Sequence, residues 1–364
     1  MLTTFRQFGE IDIYTSSPSE DGLSHEAYVS KLRQVAQWSD QHGCRGMLMY
    51  TDNHGSDPWV LAQDVIAHTH TLSPLIALQP VYMHPYAAAQ KVVALARIYG
   101  RSVDLNLVAG GFRFDLAALG DFLEHDARYE RLSEYGLLMM KLLTGKRITA
   151  EGRYYRVFGL QLEGSVGDDL LPRLTVSGSS PGGLKCAGVL KATAVMYPKP
   201  LHPAQTNSVN VLAEAQCAGL RAGVRIGILA RETAEQAWTE AKARFPENPE
   251  GQAMHKTAVQ TSDSSWLLQL SDLKSDHPAM RRDVYWLGPF GSDTYCPYLV
   301  GSYDDVAFYL SAYLRGGVRL IILDCPREEE DLVHAHAALQ RSMCGAVDSN
   351  VMQFEPPGGH RSSL

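Results

Sequence analysis

Eight short apolar runs, each followed by a longer stretch with its hydrophobic residues at helical spacing, divide most of this chain. The runs cover residues 10–15, 46–50, 75–78, 103–108, 174–176, 192–197, 223–229 and 319–323. Runs of three to seven residues rich in branched side chains suit strands buried on both faces. The intervening segments read as helices; between residues 25 and 42, for example, Tyr28, Leu32, Val35 and Ala36 share one face, and Gly43 stands at the stop. Strand and helix in strict alternation dictate a parallel sheet, and eight repeats predict a closed (β/α)8 TIM barrel. A chain of 364 residues could hold two domains, but such a barrel reaches this size alone. The expected organisation is therefore one barrel over residues 1–344, followed by a flexible tail over 345–364.

The most informative stretch runs from residue 104 to residue 135, DLNLVAGGFRFDLAALGDFLEHDARYERLSEY. A strand carrying a polar Asn106 leaves through Gly110-Gly111, where the backbone can turn tightly or approach a ligand. A helix is expected to begin near Glu124-His125-Asp126, with an acid at its positive end. Because such barrels work at the C-terminal ends of their strands, His54, Gln79, Asn106, Gly110, 177–180, Tyr197 and Arg225 are expected around one mouth.

Residues 246–301 lose clean periodicity and form an expected insertion between the seventh and eighth strands, better suited to covering a site than to filling space. Residues 151–157, too poor in aliphatics for a barrel strand, read as an excursion. The six cysteines are scattered without CxxC spacing, so a zinc site or disulfide framework is not expected and no metal site is assigned. Nor do His68/His70 or His334/His336 suit a metal, because residues two apart on a helix diverge. A net charge of −7 and no long apolar run argue against nucleic-acid and membrane partners. With no secretory h-region at the start, a cytoplasmic location is expected.

The blocks NLVAGG, GDFLEHDARYERLSEY with LLTGKRITAEGRYYRV, VSGSSP, RIGILARETAEQAW and LVGSYDDVAFYL resemble those of the bacterial-luciferase-like flavoproteins, in the family's order. Within that superfamily the chain is similar to two-component monooxygenases of alkanesulfonates and dimethyl sulfone. The resemblance implies a cofactor, reduced FMN (FMNH2), supplied by a separate flavin reductase. It further implies reaction with O2 through a flavin peroxide, a small-molecule substrate, and a homodimer or homotetramer. It places Asn106 near the flavin and implies that Tyr129, Gly178 and Ser179 hold the phosphate, with His125 and Ser180 in the same blocks. The residues agree: small side chains at a helix start expected at Ser179 let N–H groups converge on an anion.

The departures from that branch also bear on function. Gly55 stands where the alkanesulfonate branch has a cysteine, Gly227 where it has a histidine, Ser292 in place of an arginine, and Cys325 in place of a tyrosine. Without those charged anchors the pocket is poorly suited to a sulfonate head group, so a specialised tailoring oxygenation is expected, not alkanesulfonate desulfonation. His54, on the polar loop after the second strand, is the candidate proton carrier; Arg225, which survives, could fix an anion or form a structural ion pair. Alternatives are hydride transfer with a deazaflavin, or a flavin-binding barrel without turnover.

Overall fold

A computed structural model describes residues 4–201, 215, 218–246, 248–276, 284–292 and 294–344. The expected 345–364 tail lies outside them. Eight parallel strands close a barrel in the order β1 (Asp12–Ser16), β2 (Gly46–Met49), β3 (Ser73–Leu78), β4 (Asp104–Leu107), β7 (Leu174–Ser177), β8 (Thr193–Met196), β9 (Ala222–Arg231) and β12 (Val318–Leu323), with β12 pairing back on β1. Each of the eight runs read from the sequence carries one of these strands. The helices between them include α1 (His25–Gln41), α2 (Pro58–Ala67), α3 (Pro85–Tyr99), α5 (His125–Leu143) and α6 (Pro181–Leu190). Tyr28, Leu32, Val35 and Ala36 are the buried face of α1, as its spacing requires. The short α4 (Arg113–Ala118) occupies what reads in sequence as loop.

Alternate residues of each strand fill the barrel interior. Tyr14, Leu48, Leu75, Val195, Leu320 and Ile322 pack together there. The two polar residues of β4 serve opposite ends. Buried Asp104 closes the floor, accepting hydrogen bonds from Tyr14 Oη (2.7 Å), Arg45 Nε (3.1 Å) and the Arg173 amide (3.0 Å). Asn106, two residues on, faces the mouth.

The excursion is a two-stranded antiparallel hairpin, β5 (Ile148–Glu151) with β6 (Arg156–Leu160). Its turn is held by Glu134 of α5, whose carboxylate accepts the amides of Tyr155 (2.7 Å) and Tyr154 (3.1 Å). A side chain at Gly152 would overlap that carboxylate. The EGRYYRV block thus accompanies the HDARYERLSEY helix because one grips the other.

The expectation of irregular structure across 246–301 is corrected. Helices Pro249–Thr261 and Ser265–Asp276, the short strand β10 (Tyr285–Trp286) and β11 (Tyr298–Ser302) occupy most of its described residues. Their polar faces and short lengths hid the helical period. Strand β9 is ten residues long; its first half pairs with β8 and β12 and its second half runs on to pair with β11. The insertion is therefore grafted onto an extension of the seventh barrel strand.

Candidate active site

Two clusters occupy the C-terminal end of the barrel. The first gathers the resemblance-derived residues where β7 gives way to α6. Oδ1 of buried Asn106 accepts from Thr175 Oγ1 (2.8 Å) and Ser177 Oγ (2.9 Å). With both lone pairs engaged, its amide offers a ligand only N–H. The next residue, Gly178, has φ +148° and lies against the Tyr129 hydroxyl; a Cβ there would overlap that oxygen. Tyr129, buried on the first turns of α5, donates to the Ser177 carbonyl at 3.1 Å, and burial pushes its pKa up to about 12.

Helix α6 begins at Pro181, not at Ser179 as the sequence suggests. Ser180 is its N-cap, and the Ser180 hydroxyl accepts from the Gly183 amide at 3.2 Å. Ser179, just outside the helix, carries a buried hydroxyl with no hydrogen-bond partner. His125 opens α5, edge-on to Tyr129 at 5.1 Å, with Nδ1 2.8 Å from Asp126 Oδ1. Thus His125, Tyr129, Gly178, Ser179 and Ser180 lie together. An orphaned buried hydroxyl, a side-chain-free backbone and a helix N-terminus fit a phosphate monoester: the hydroxyl gains an acceptor and the anion faces the helix dipole.

The second cluster surrounds Arg225, on the part of β9 facing the mouth. Its guanidinium donates to Tyr197 Oη (2.7 Å), Tyr50 Oη (2.6 Å) and Asp324 Oδ1 (3.1 Å), and lies over the Tyr50 ring. Burial works against this charge, but its neighbours more than offset it and raise the Arg225 pKa further. Asp324 also accepts from Tyr298 Oη at 2.7 Å, so Arg225 is an internal ion pair flanked by phenols. On its other side, Tyr197 stacks on Trp266 of the insertion, with centroids 4.1 Å apart.

His54 lies elsewhere. Its side chain is 83% exposed, with Nε2 3.6 Å from Asp115 Oδ1, while Asp52 caps its turn through the His54 and Gly55 amides. Gln79 is buried with its amide against Gly110, and His84 caps α3 through the Tyr86 amide.

Sequence reasoning missed Tyr50, Asp324, Trp266 and Tyr298. The first two stand one residue beyond barrel strands, where the strand-end rule reaches them. The others come from the insertion, whose placement no local pattern fixes. Among the described residues no group of three His, Cys, Asp or Glu side chains could hold a metal, and no helix is long and apolar enough to cross a membrane.

The family model for luciferase-like monooxygenases matches residues 10–319. The chain belongs to that family. It is 32% identical over 340 residues to a monooxygenase of Niallia circulans, 4-(gamma-L-glutamylamino)butanoyl-[BtrI acyl-carrier protein] monooxygenase BtrO, covering 92% of this chain and 96% of BtrO. Among solved structures, the oxygenating constituent of 3,6-diketocamphane monooxygenase from Pseudomonas putida, in complex with FMN, matches with a TM-score of 0.66 at 15% identity, covering 91% of this chain and 96% of that one. An F420-dependent secondary alcohol dehydrogenase matches with a TM-score of 0.62 at 14% identity, covering 91% and 99%. At those identities the two structures attest the shared barrel alone. The family and this relative support a flavin-dependent monooxygenase.

Proposed function

We propose that this protein is a two-component, FMN-dependent monooxygenase that oxygenates a small or medium organic substrate in a specialised tailoring reaction. The observation that carries the cofactor assignment is the partnerless Ser179 hydroxyl beside Gly178 and Tyr129, at the α6 N-terminus. Ser179, Ser180 and His125 would hold the phosphate, Tyr129 would seat the Gly178 backbone, and Asn106 would offer its N–H groups to the flavin ring. Reduced FMN, delivered by a separate reductase, supplies two electrons; one atom of O2 enters the substrate and the other leaves as water. The barrel mouth and its insertion exclude bulk water from that reaction. We assign the active form to a homodimer or homotetramer.

A deazaflavin such as F420 would need extra room and free basic groups for its anionic tail, and Arg153, on the hairpin beside α5, is already paired with Glu130 at 2.8 Å. Anaerobic titration with reduced FMN, oxidised FMN and F420, followed by mixing with O2, tests the assignment. Tight binding of reduced FMN, then oxygen-dependent turnover in the presence of substrate, is expected. Preference for F420 would move the protein to hydride transfer, and flavin binding without product from any substrate to a non-catalytic role.

A further inference from the structure

The surviving arginine at the mouth does not present its charge. Arg225 Nη1 donates to Tyr197 and Nη2 to Tyr50 and Asp324, while its buried Nε has no hydrogen-bond partner. Its positive charge is matched by a carboxylate that is only 11% exposed and further fixed by Tyr298. An anionic group brought here would have to displace that carboxylate, and two negative groups would then share one guanidinium at low dielectric.

What the cluster does present is a phenol. Tyr197 follows β8 on the same inward phase as Val195 of the barrel interior. Its oxygen accepts from Arg225, which leaves its own O–H to donate. Accepting from a cation strengthens the phenol as a donor. Trp266 stacks on the ring and so sets the direction of the hydroxyl. Both Tyr197 and Trp266 remain partly accessible.

We propose that Tyr197 is the substrate-binding hydrogen-bond donor of this site, with Arg225 and Trp266 as its positioning residues, and that the site selects an uncharged group bearing an acceptor oxygen over an anion. This rests on the monooxygenase reading above, and it assigns the substrate's polarity and the residue that reads it.

The test uses two probes of matched shape, cyclohexanone and cyclohexanecarboxylate, titrated into the protein with and without oxidised FMN. Trp266 fluorescence is the readout, verified by its loss in Trp266→Phe. The ketone should bind more tightly than the carboxylate. Tyr197→Phe should weaken the ketone about five- to tenfold, the worth of one well-placed hydrogen bond, and leave the carboxylate within about twofold, because that anion makes no bond to the phenol. Tighter binding of the carboxylate, unchanged ketone affinity in Tyr197→Phe, or no ketone response up to its solubility limit would each overturn the proposal. Flavin binding, followed separately by FMN fluorescence, distinguishes these failures from failure of the cofactor assignment.

Discussion

Asp263 of the insertion accepts two hydrogen bonds from Arg128 Nη2, at 2.8 and 2.6 Å, although the two residues lie 135 positions apart. Arg128 is the residue before Tyr129 on α5, so the helix that seats the Gly178 backbone also anchors the insertion. The neighbouring Ser262 hydroxyl and Asp263 amide both bond to the Gly111 carbonyl, at 2.8 and 3.1 Å. The Gly-Gly stretch that reads in sequence as a tight turn or a ligand approach is thus a docking point for the insertion. Arg128 and Asp263 are 4% and 13% exposed, and removing one partner of such a pair leaves a buried charge, at a cost of about 3–5 kcal/mol. Asp263→Ala should therefore loosen the insertion. Amide exchange over 249–276 should accelerate while β1–β4 stay protected; unchanged exchange would show that the ion pair does not hold it.

Gly227, which replaces a histidine of the sulfonate-type motif, makes room for an aromatic ring. A Cβ at Gly227 would overlap the ring of Tyr298, and Tyr298 is what steadies Asp324 beneath Arg225. Gly227→Ala should push the ring away and lower stability by about 1–3 kcal/mol, as overpacked core positions do. Tyr298→Phe separates the two effects. It keeps the packing and removes one hydrogen bond, for a loss of about 1 kcal/mol plus the cost of an under-satisfied carboxylate. Urea denaturation of the two variants measures the difference, and equal losses would place the whole effect on the hydrogen bond.

Barrel strands were legible because burial on both faces writes itself into four or five consecutive residues, as in the run that becomes β2. Helix starts were legible where local chemistry specifies them. Thr233 caps the helix Ala234–Arg244 in a full capping box with Gln236, and Glu124 precedes α5. The start of α6 was misplaced by two residues, because three small side chains in a row leave the cap undetermined until the Ser180 hydroxyl finds the Gly183 amide. Asn106 was placed at the mouth by the strand-end rule, and the resemblance added its expected place beside the flavin and the phosphate role of Tyr129. Arg225 illustrates the remaining limit. Its residue type and strand position were readable, but the balance of its charge depends on Asp324 and Tyr298, 99 and 73 positions away, and such pairings leave no local trace.

Buried phenols make the fold sensitive to alkali. Burial raises Tyr82, Tyr129 and Tyr155 to about 12 from the ordinary value of 10.0, and pushes Tyr14, Tyr50, Tyr135 and Tyr298 higher still. In the unfolded chain these groups lose their protons near pH 10, while the folded chain holds them to about 12 or above. Between those values the folded state binds more protons, so stability is intact below pH 10 and falls as pH rises beyond it. The urea midpoint should be flat from pH 8 to just under 10, as far as these tyrosines decide it, and then fall steeply. In Tyr155→Phe the slope of that fall should be smaller by one proton's worth; an unchanged slope would mean that this phenol titrates alike in both states.

Gly178 and Tyr129 give the most direct access to the cofactor assignment. A methyl group at residue 178 would collide first with the Tyr129 hydroxyl, then sit 3.1 Å from Cζ, in a backbone conformation that side chains rarely adopt. Gly178→Ala should therefore lower FMN affinity by distorting the cradle, and Tyr129→Phe should restore part of it by removing the atom in the way. Ser179→Ala leaves the backbone alone and removes a hydroxyl that has no partner within the protein. Folding should not suffer, because an orphaned buried hydroxyl costs free energy where it stands. If the hydroxyl bonds the phosphate, FMN should bind about tenfold more weakly, as expected for a hydrogen bond to a charged group, while riboflavin, which lacks the phosphate, should bind unchanged. A Ser179→Ala protein that loses affinity for both ligands equally would place the hydroxyl against the flavin ring, and one that loses neither would remove Ser179 from the site. Fluorescence titration with FMN and riboflavin decides among these outcomes without turnover or substrate.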